Sequence, residues 1–271
     1  MESIEREIEA GGFRTHYIEA GNGPTVLLIH GSGPGVSAYA NWRFLIPVLA
    51  EHFRVLAPDV IGFGKSERLE HGTYDTGLWV DHLIAFLEAT RTERCSIVGN
   101  SMGGALAIAL AIKRPDLVHR LVLMGTTGLS FPITAGLEAV WGYEPSEAAM
   151  RELIATHFAF NQAIATDELV RLRYEASIIP GYHESYHAMF PAPRQAGVER
   201  LASDPEKIAE LTMPVLLVHG REDRVIPLAV SQRLLEIIPN ADLHVFSHCG
   251  HWTQIERKDA FNELTAGFLR D

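Results

Sequence analysis

Ser96-Ile97-Val98-Gly99-Asn100-Ser101-Met102-Gly103-Gly104-Ala105-Leu106-Ala107 is the stretch whose reading decides the fold of this chain. A short apolar run stops at Gly99, a polar apex follows, and a helix-compatible run begins at once. Glycines at 99, 103 and 104 remove side chains where two backbones must approach. The spacing Gly99-x-Ser101-x-Gly103 is that of a nucleophile elbow, a strained strand-to-helix turn that lifts a serine hydroxyl above the sheet. A glycine-rich turn around an ordinary serine has the same pentapeptide, so the flanking chain has to decide between them.

Outward from this turn the chain alternates. Residues 4–10 and 13–20 read as two strands joined at Gly11-Gly12, a dipeptide suited to a tight hairpin. Residues 25–29, 53–57, 95–98, 121–124, 215–219 and 243–246 read as further strands, several of them unbroken apolar runs of the kind buried on both faces. Helices are expected over 42–50, shortened or kinked by Pro47, over 76–89, from the elbow to about 114 with Pro115 closing it, over 231–238 and over 258–269. Alternation of this kind makes a mostly parallel sheet with helices on both faces.

The alternation breaks over residues 125–203. This segment is rich in helix formers and aromatics and is interrupted by Pro132, Pro145, Pro180, Pro191 and Pro193. Several short helices forming an inserted cap are expected. A second independent helical domain fits less well, because strand–helix alternation resumes directly after it. The expected division is core 1–128, helical cap or lid 129–204, and core 205–271.

Composition narrows the class. The 271 residues allow one or two domains and contain no apolar run near the roughly 20 residues of a membrane span. A formal net charge of -11 argues against nucleic acid as a partner. Residues 1–7 are acidic and amphipathic, unlike a secretory leader, and the two cysteines, Cys95 and Cys249, read as reduced packing residues. A cytoplasmic globular protein is expected, with no membrane association.

Nucleophilic catalysis by serine needs a base, an acid to orient that base, and backbone donors where an oxyanion forms. Candidates stand after successive strands: Asp223 after 215–219 and His251 after 243–246, giving the chain order Ser101…Asp223…His251. The backbone N–H groups of Met102 and of Ser32, in His30-Gly31-Ser32-Gly33, are the candidate oxyanion donors. Glu222 rivals Asp223, although it is expected to face solvent, and His248 rivals His251. His248-Cys249-Gly250-His251 has no second ligand cluster at motif spacing, so neither a metal nor a cofactor is expected. Gly31–Gly35 lacks the Gly-Lys-Ser/Thr of a phosphate loop, and His30 is expected to shape that loop by a hydrogen bond.

Several stretches together carry a more specific likeness. They are His30-Gly31-Ser32-Gly33-Pro34-Gly35 with Asn41-Trp42-Arg43, the elbow with Asn100, Arg173-Tyr174-Glu175-Ala176, Gly220-Arg221-Glu222-Asp223-Arg224, and Cys249-Gly250-His251-Trp252. Over nearly its whole length the chain resembles the α/β-hydrolase superfamily, and within it the meta-cleavage product hydrolases that cut carbon–carbon bonds in bacterial aromatic degradation. The cap, with Ala139–Tyr143 and Phe190–Gln195, resembles the branch acting on monocyclic-ring products, which includes 2-hydroxymuconate semialdehyde hydrolases and alkylbenzene-pathway enzymes.

The resemblance implies a 2-hydroxy-6-oxohexa-2,4-dienoate substrate, with Arg173 receiving its carboxylate. Asn100, Asn41 and Gly33 would contact the dienoate, Trp252 would form an apolar wall, and Ile226 with aromatic residues of the cap would set the space for the C6 substituent. It also implies a homo-oligomer, dimer or tetramer. An acyl-enzyme and a gem-diol route are both compatible with the residues. A carboxylesterase of the same fold and a non-catalytic ligand-binding homologue are the rival readings.

Overall fold

The structure is a computed structural model that describes residues 3–69 and 73–270. Its eight strands are β1 (Ile4–Ala10), β2 (Phe13–Ala20), β3 (Thr25–Ile29), β4 (Arg54–Pro58), β5 (Cys95–Asn100), β6 (Val118–Met124), β7 (Val215–Gly220) and β8 (Ala241–Phe246). They lie side by side in the order β1-β2-β4-β3-β5-β6-β7-β8. The hairpin β1–β2 pairs antiparallel, β2 joins β4 antiparallel, and every later pairing is parallel.

Strand pleating fixes the layers. Leu27 and Ile29 of β3 point to one face while Val26 and Leu28 point to the other, and all four are fully buried. The same alternation runs through Ile97 against Val98, Leu121 and Leu123 against Val122 and Met124, and Leu217 against Leu216 and Val218. A parallel sheet with both faces apolar has to be covered twice. Helices α1 (Ala38–Trp42) and α2 (Ile46–Leu49) bring Trp42 and Leu49 to one face. Helices α3 (Thr76–Ala89) and α4 (Met102–Lys113) bring Leu83, Phe86 and Leu106 to the other. The edge strands differ: β1 is largely exposed and rich in charge, which discourages edge-to-edge pairing, and β8 alternates between half-buried and exposed.

The single helix expected over 42–50 is two short ones. Pro47 lies within the first turn of α2, where it lacks no needed hydrogen bond but cannot continue an earlier helix, so the chain turns between Arg43 and Leu45.

Between β6 and β7 the chain leaves the sheet. It forms α5 (Ala135–Trp141), α6 (Glu147–Glu152) running into a π-helical turn, α7 (Asp167–Ser177), α8 (Tyr182–Met189), α9 (Gln195–Leu201) and α10 (Pro205–Ala209). After β7 come α11 (Leu228–Ile237), then β8, α12 (Thr253–Glu256) and α13 (Lys258–Arg270), whose Phe261 and Leu269 join the face covered by α1 and α2. No helix among the described residues is long and apolar enough to cross a membrane.

Strand order locates the working end. From β3 the chain passes to β4 on one side, and β5 then enters on the other, so the loops after β3 and β5 leave the sheet as neighbours on either side of a crevice. Such switch points at the carboxyl ends of parallel strands are where open α/β sheets hold ligands. Ile29 pairs with Gly99, which brings the glycine loop 31–35 beside Ser101.

Candidate active site

Ser101 sits at φ 55° and ψ -117°, between the last residue of β5 and the first of α4. This conformation costs a non-glycine residue roughly 1–3 kcal/mol, and the surroundings hold it in place. A Cβ on Gly99 would come within 2.5 Å of the Gly103 carbonyl oxygen, and one on Gly103 would collide with the Ile29 carbonyl. Only glycines let strand and helix cross this closely, which is the physical content of the pattern quoted above. Met102 opens α4, so its N–H has no intrahelical acceptor and is free to face a ligand.

The loop after β3 is braced from below and above. His30 bonds the Gly31 carbonyl through Nδ1 at 2.7 Å and accepts from the Val60 N–H at Nε2, so it shapes the loop as expected. From above, Trp141 of α5 donates to the Ser32 hydroxyl at 2.9 Å. Tyr186 of α8 donates to the Ser32 carbonyl at 2.9 Å and is shared with Val140 at 2.8 Å. The Trp141 ring stacks on Phe190 at 4.6 Å. The loop carrying Ser32 is therefore clamped by two helices of the inserted segment.

Asp223 and His251 come together across the ends of β7 and β8. His251 donates from Nδ1 to Asp223 Oδ2 at 2.7 Å. The other carboxylate oxygen accepts the N–H groups of Val225 and Ile226 at 2.8 and 2.9 Å. Burial alone would raise the Asp223 pKa, but the charge and hydrogen bond of His251, with help from His219 and the Ile226 N–H, hold it below the ordinary carboxylate range. His219 lies 3.4 Å from the same oxygen, while its Nε2 bonds the Ile226 carbonyl and its Nδ1 bonds Ser231.

Glu222 does not face open solvent: its carboxylate accepts the Cys249 N–H at 3.0 Å and holds the turn that leads to His251. His248 is exposed with its ring against Phe160, away from Asp223. Cys95 and Cys249 are free and buried. Glu256 accepts from Gly250, Phe160 and Asn161, and so latches the inserted segment to the His251 turn.

One cavity is lined by Ser101, His251, Asn100, Asn41, Arg173 and Trp252, together with Ser32 and Gly33. Ser101 and His251 meet it without a hydrogen bond between them, a looseness common in such pairs until a substrate tightens them. Asn100 donates to the Met124 carbonyl at 3.2 Å, and the Asn41 amide nitrogen is buried without a partner. Arg173, 5% exposed, donates to the Pro34 carbonyl at 2.8 Å, while its Nε has no partner. Among the described residues no carboxylate pairs with it, and burial lowers its pKa to about 10.

Ile226 is the exception. It is fully buried in the core and does not line the cavity; Val225 does. The two N–H groups captured by Asp223 and the carbonyl captured by His219 fix this turn, and it is Val225 that faces the cavity.

Leu137, Val140 and Phe158 also line the cavity, as does Gln254, which is 2% exposed and has neither side-chain polar atom bonded. Phe158 is among the cap aromatics expected to set the C6 space, whereas Leu137, Val140 and Gln254 are lining residues that the sequence does not single out. Gln254 carried a usable signal, three residues after His251 in the first turn of α12. Gly125 carried another: a Cβ there would lie 3.1 Å from the His251 Nδ1. Val225 carried none beside an equally apolar neighbour.

Comparison with known proteins agrees with this geometry. Residues 24–258 match the family described as alpha/beta hydrolase fold. The 2-hydroxymuconate semialdehyde hydrolase of Pseudomonas sp. (strain CF600) is 53% identical over 99% of this chain and 94% of its own length. The 2-hydroxy-6-oxo-2,4-heptadienoate hydrolase of Pseudomonas putida F1 is 49% identical over 98% of this chain and 96% of its own. Among solved structures, a meta-cleavage product hydrolase from Pseudomonas fluorescens IP01, a serine-to-alanine mutant complexed with acetates, is 52% identical. It superimposes with a TM-score of 0.96 over 98% of this chain and 97% of that one. The chain that holds this elbow, the clamped loop after β3 and the paired Asp223 and His251 thus belongs to the α/β-hydrolase fold family and, within it, to the meta-cleavage product hydrolases, which are carbon–carbon bond hydrolases.

Proposed function

We propose that this enzyme hydrolyses the C5–C6 bond of 2-hydroxymuconate semialdehyde or of a 6-alkyl 2-hydroxy-6-oxohexa-2,4-dienoate. The products are 2-hydroxypenta-2,4-dienoate and a short carboxylic acid. The observation that carries this reading is Arg173: a buried cation without a carboxylate partner, in the same cavity as Ser101. An unpaired buried charge is costly unless something completes it, and a substrate carboxylate does so with matching planar geometry. An ester substrate has no such need.

In this reading the carboxylate sits on Arg173 with Asn41 and Gly33 beside it, and Trp252 lies along the dienoate. Asn100 contacts the conjugated chain. The C6 substituent points toward Leu137, Val140 and Val225, side chains that suit hydrogen or a small alkyl group. The dienol first ketonises, its hydroxyl proton leaving and a proton arriving at C5, with His251 as proton carrier.

Ser101, oriented with His251 and Asp223, then serves attack on the C6 carbonyl. The N–H groups of Met102 and Ser32 receive the oxyanion. The C5–C6 electron pair leaves onto C5 and returns to the dienoate, and water supplies the hydroxyl of the released acid. The triad works without a metal or cofactor, and residues 129–204 act as the lid. The free, buried cysteines suit a reducing, cytoplasmic setting, and a homo-oligomer, testable by sedimentation, is proposed from the family likeness.

Purified protein offered the yellow dienoate and p-nitrophenyl acetate separately tests the reaction. Rapid loss of visible absorbance with slow ester cleavage is expected. Efficient ester cleavage with the dienoate untouched would overturn it.

A further inference from the structure

His183 and His187 stand one turn apart on α8 and direct their Nε2 atoms to the two oxygens of Glu144, each at 3.4 Å. Glu144 comes from the turn between α5 and α6, far from α8 in sequence. The two imidazole rings lie 4.2 Å apart between centroids, tilted by 68°. One ligand-type atom from each residue falls within 4.8 Å of the other two, and this is the group of three so placed among the described residues. The 3.4 Å separations are longer than a good hydrogen bond, and the buried His187 Nε2 has no hydrogen-bond partner. Each separation has the length of one edge of a tetrahedron, in which ligand atoms held at roughly 2.0–2.1 Å from a zinc-type ion stand about 3.4 Å apart. The two run to different oxygens of Glu144, so a small rotation of that exposed side chain brings one oxygen toward both nitrogens.

Two neutral imidazoles and one carboxylate favour a borderline divalent transition ion over calcium or magnesium, which take oxygen ligands. Two histidines at i and i+4 on a helix offer both nitrogens to one point, and the exposed carboxylate can adjust to meet it. We propose that Glu144, His183 and His187 bind one zinc-type divalent ion, with water completing the shell, and that the ion ties α8 to the turn after α5. Helix α8 carries Tyr186 and the end of α5 carries Trp141, the two side chains that grip the Ser32 loop. The ion is a staple on the solvent side of the clamp and takes no part in the bond cleavage.

Calorimetric titration of the untagged full chain with zinc chloride tests this, alongside His183→Ala, His187→Ala and Glu144→Gln. The wild type should bind one equivalent at micromolar concentration, with a rise in Tm and slower hydrogen exchange across α8. Each histidine variant should bind at least tenfold more weakly and lose the Tm rise, while keeping the wild-type circular dichroism and turnover without metal. Calcium should give no such response. The proposal fails if the wild type takes up no zinc, if the double histidine variant titrates like the wild type, or if zinc leaves exchange across α8 unchanged.

Discussion

The guanidinium of Arg173 lies over the ring of Trp252, 5.5 Å from its centroid. The arginine comes from α7 in the inserted segment, and the tryptophan is the residue after His251. Phe158 stacks on the same tryptophan at 4.7 Å, and its carbonyl accepts the Trp252 N–H at 3.1 Å. The proposed carboxylate-binding group and the proposed proton carrier are thus set against each other by one aromatic residue. In the proposed reaction, packing between sheet and insertion would set the distance between the substrate carboxylate and the reacting carbonyl. A ring face partly offsets the desolvation of a guanidinium but cannot neutralise it.

Replacing Arg173 by methionine should therefore act in opposite directions on activity and stability. Methionine keeps most of the volume and removes a desolvated, unpaired charge, so Tm should rise. Loss of charge-assisted hydrogen bonds to the carboxylate should lower kcat/KM on the dienoate by roughly a hundredfold, mainly through KM. Steady-state kinetics and a thermal melt on one preparation check both. A variant that melts lower and binds substrate normally would contradict the assignment of Arg173.

Ser101→Ala removes the hydroxyl at the apex of the elbow. Turnover of the dienoate should fall by roughly 10³-fold or more, with substrate still bound, as seen by a persistent shift in its visible spectrum on mixing. Alanine keeps the strained backbone, so stability should change little. Near-normal turnover would remove the serine from the mechanism.

The legible parts of this fold were those where one local constraint dominates. Gly99, Gly103 and Ser101 could be read because steric contact allows few other residues there, and buried parallel strands show as unbroken apolar runs such as 215–219. Asp223 and His251 could be proposed because each lies in the loop that follows the carboxyl end of a strand. What sequence could not order was the choice between adjacent residues of one chemistry. Val225 and Ile226 differ in which one the Asp223 turn presents to the cavity, and that is decided by three hydrogen bonds to Asp223 and His219. Glu222 looked like a surface carboxylate because its acceptor role depends on a backbone N–H from another loop.

Asp223 and Glu222 are separable by experiment. Asp223→Asn keeps the side-chain size but presents an amide to His251, whose Nδ1 hydrogen then loses its charged acceptor, and the ring can settle in the wrong tautomer. A fall in kcat of roughly 10³–10⁴-fold is expected. Glu222→Gln keeps an acceptor for the Cys249 N–H and should change kcat by less than about tenfold. Equal losses in the two variants would mean that the carboxylate partner of His251 has been misassigned.

The pH dependence of stability should carry the mark of a histidine far from the cavity. His82 of α3 is buried against β2, with Nε2 2.7 Å from the Thr15 hydroxyl and Nδ1 without a partner. Burial lowers its pKa to about 4, whereas in the unfolded chain it is about 6.5. Above that upper value neither state holds the extra proton, and the stability is fully present. As pH falls from about 6.5 to about 4 the unfolded chain binds a proton that the folded chain refuses, so stability is lost, by roughly 3 kcal/mol in all. His30 and His219, both lowered chiefly by burial, slope the same way. His16, raised chiefly by its hydrogen bond to Asp59, opposes them, its contribution being present at low pH and lost as pH rises through its folded pKa. Urea unfolding at several pH values should show the wild type losing stability over this window. His82→Gln, which can still bond Thr15, should flatten the slope by about one proton; an unchanged slope would place the titration elsewhere.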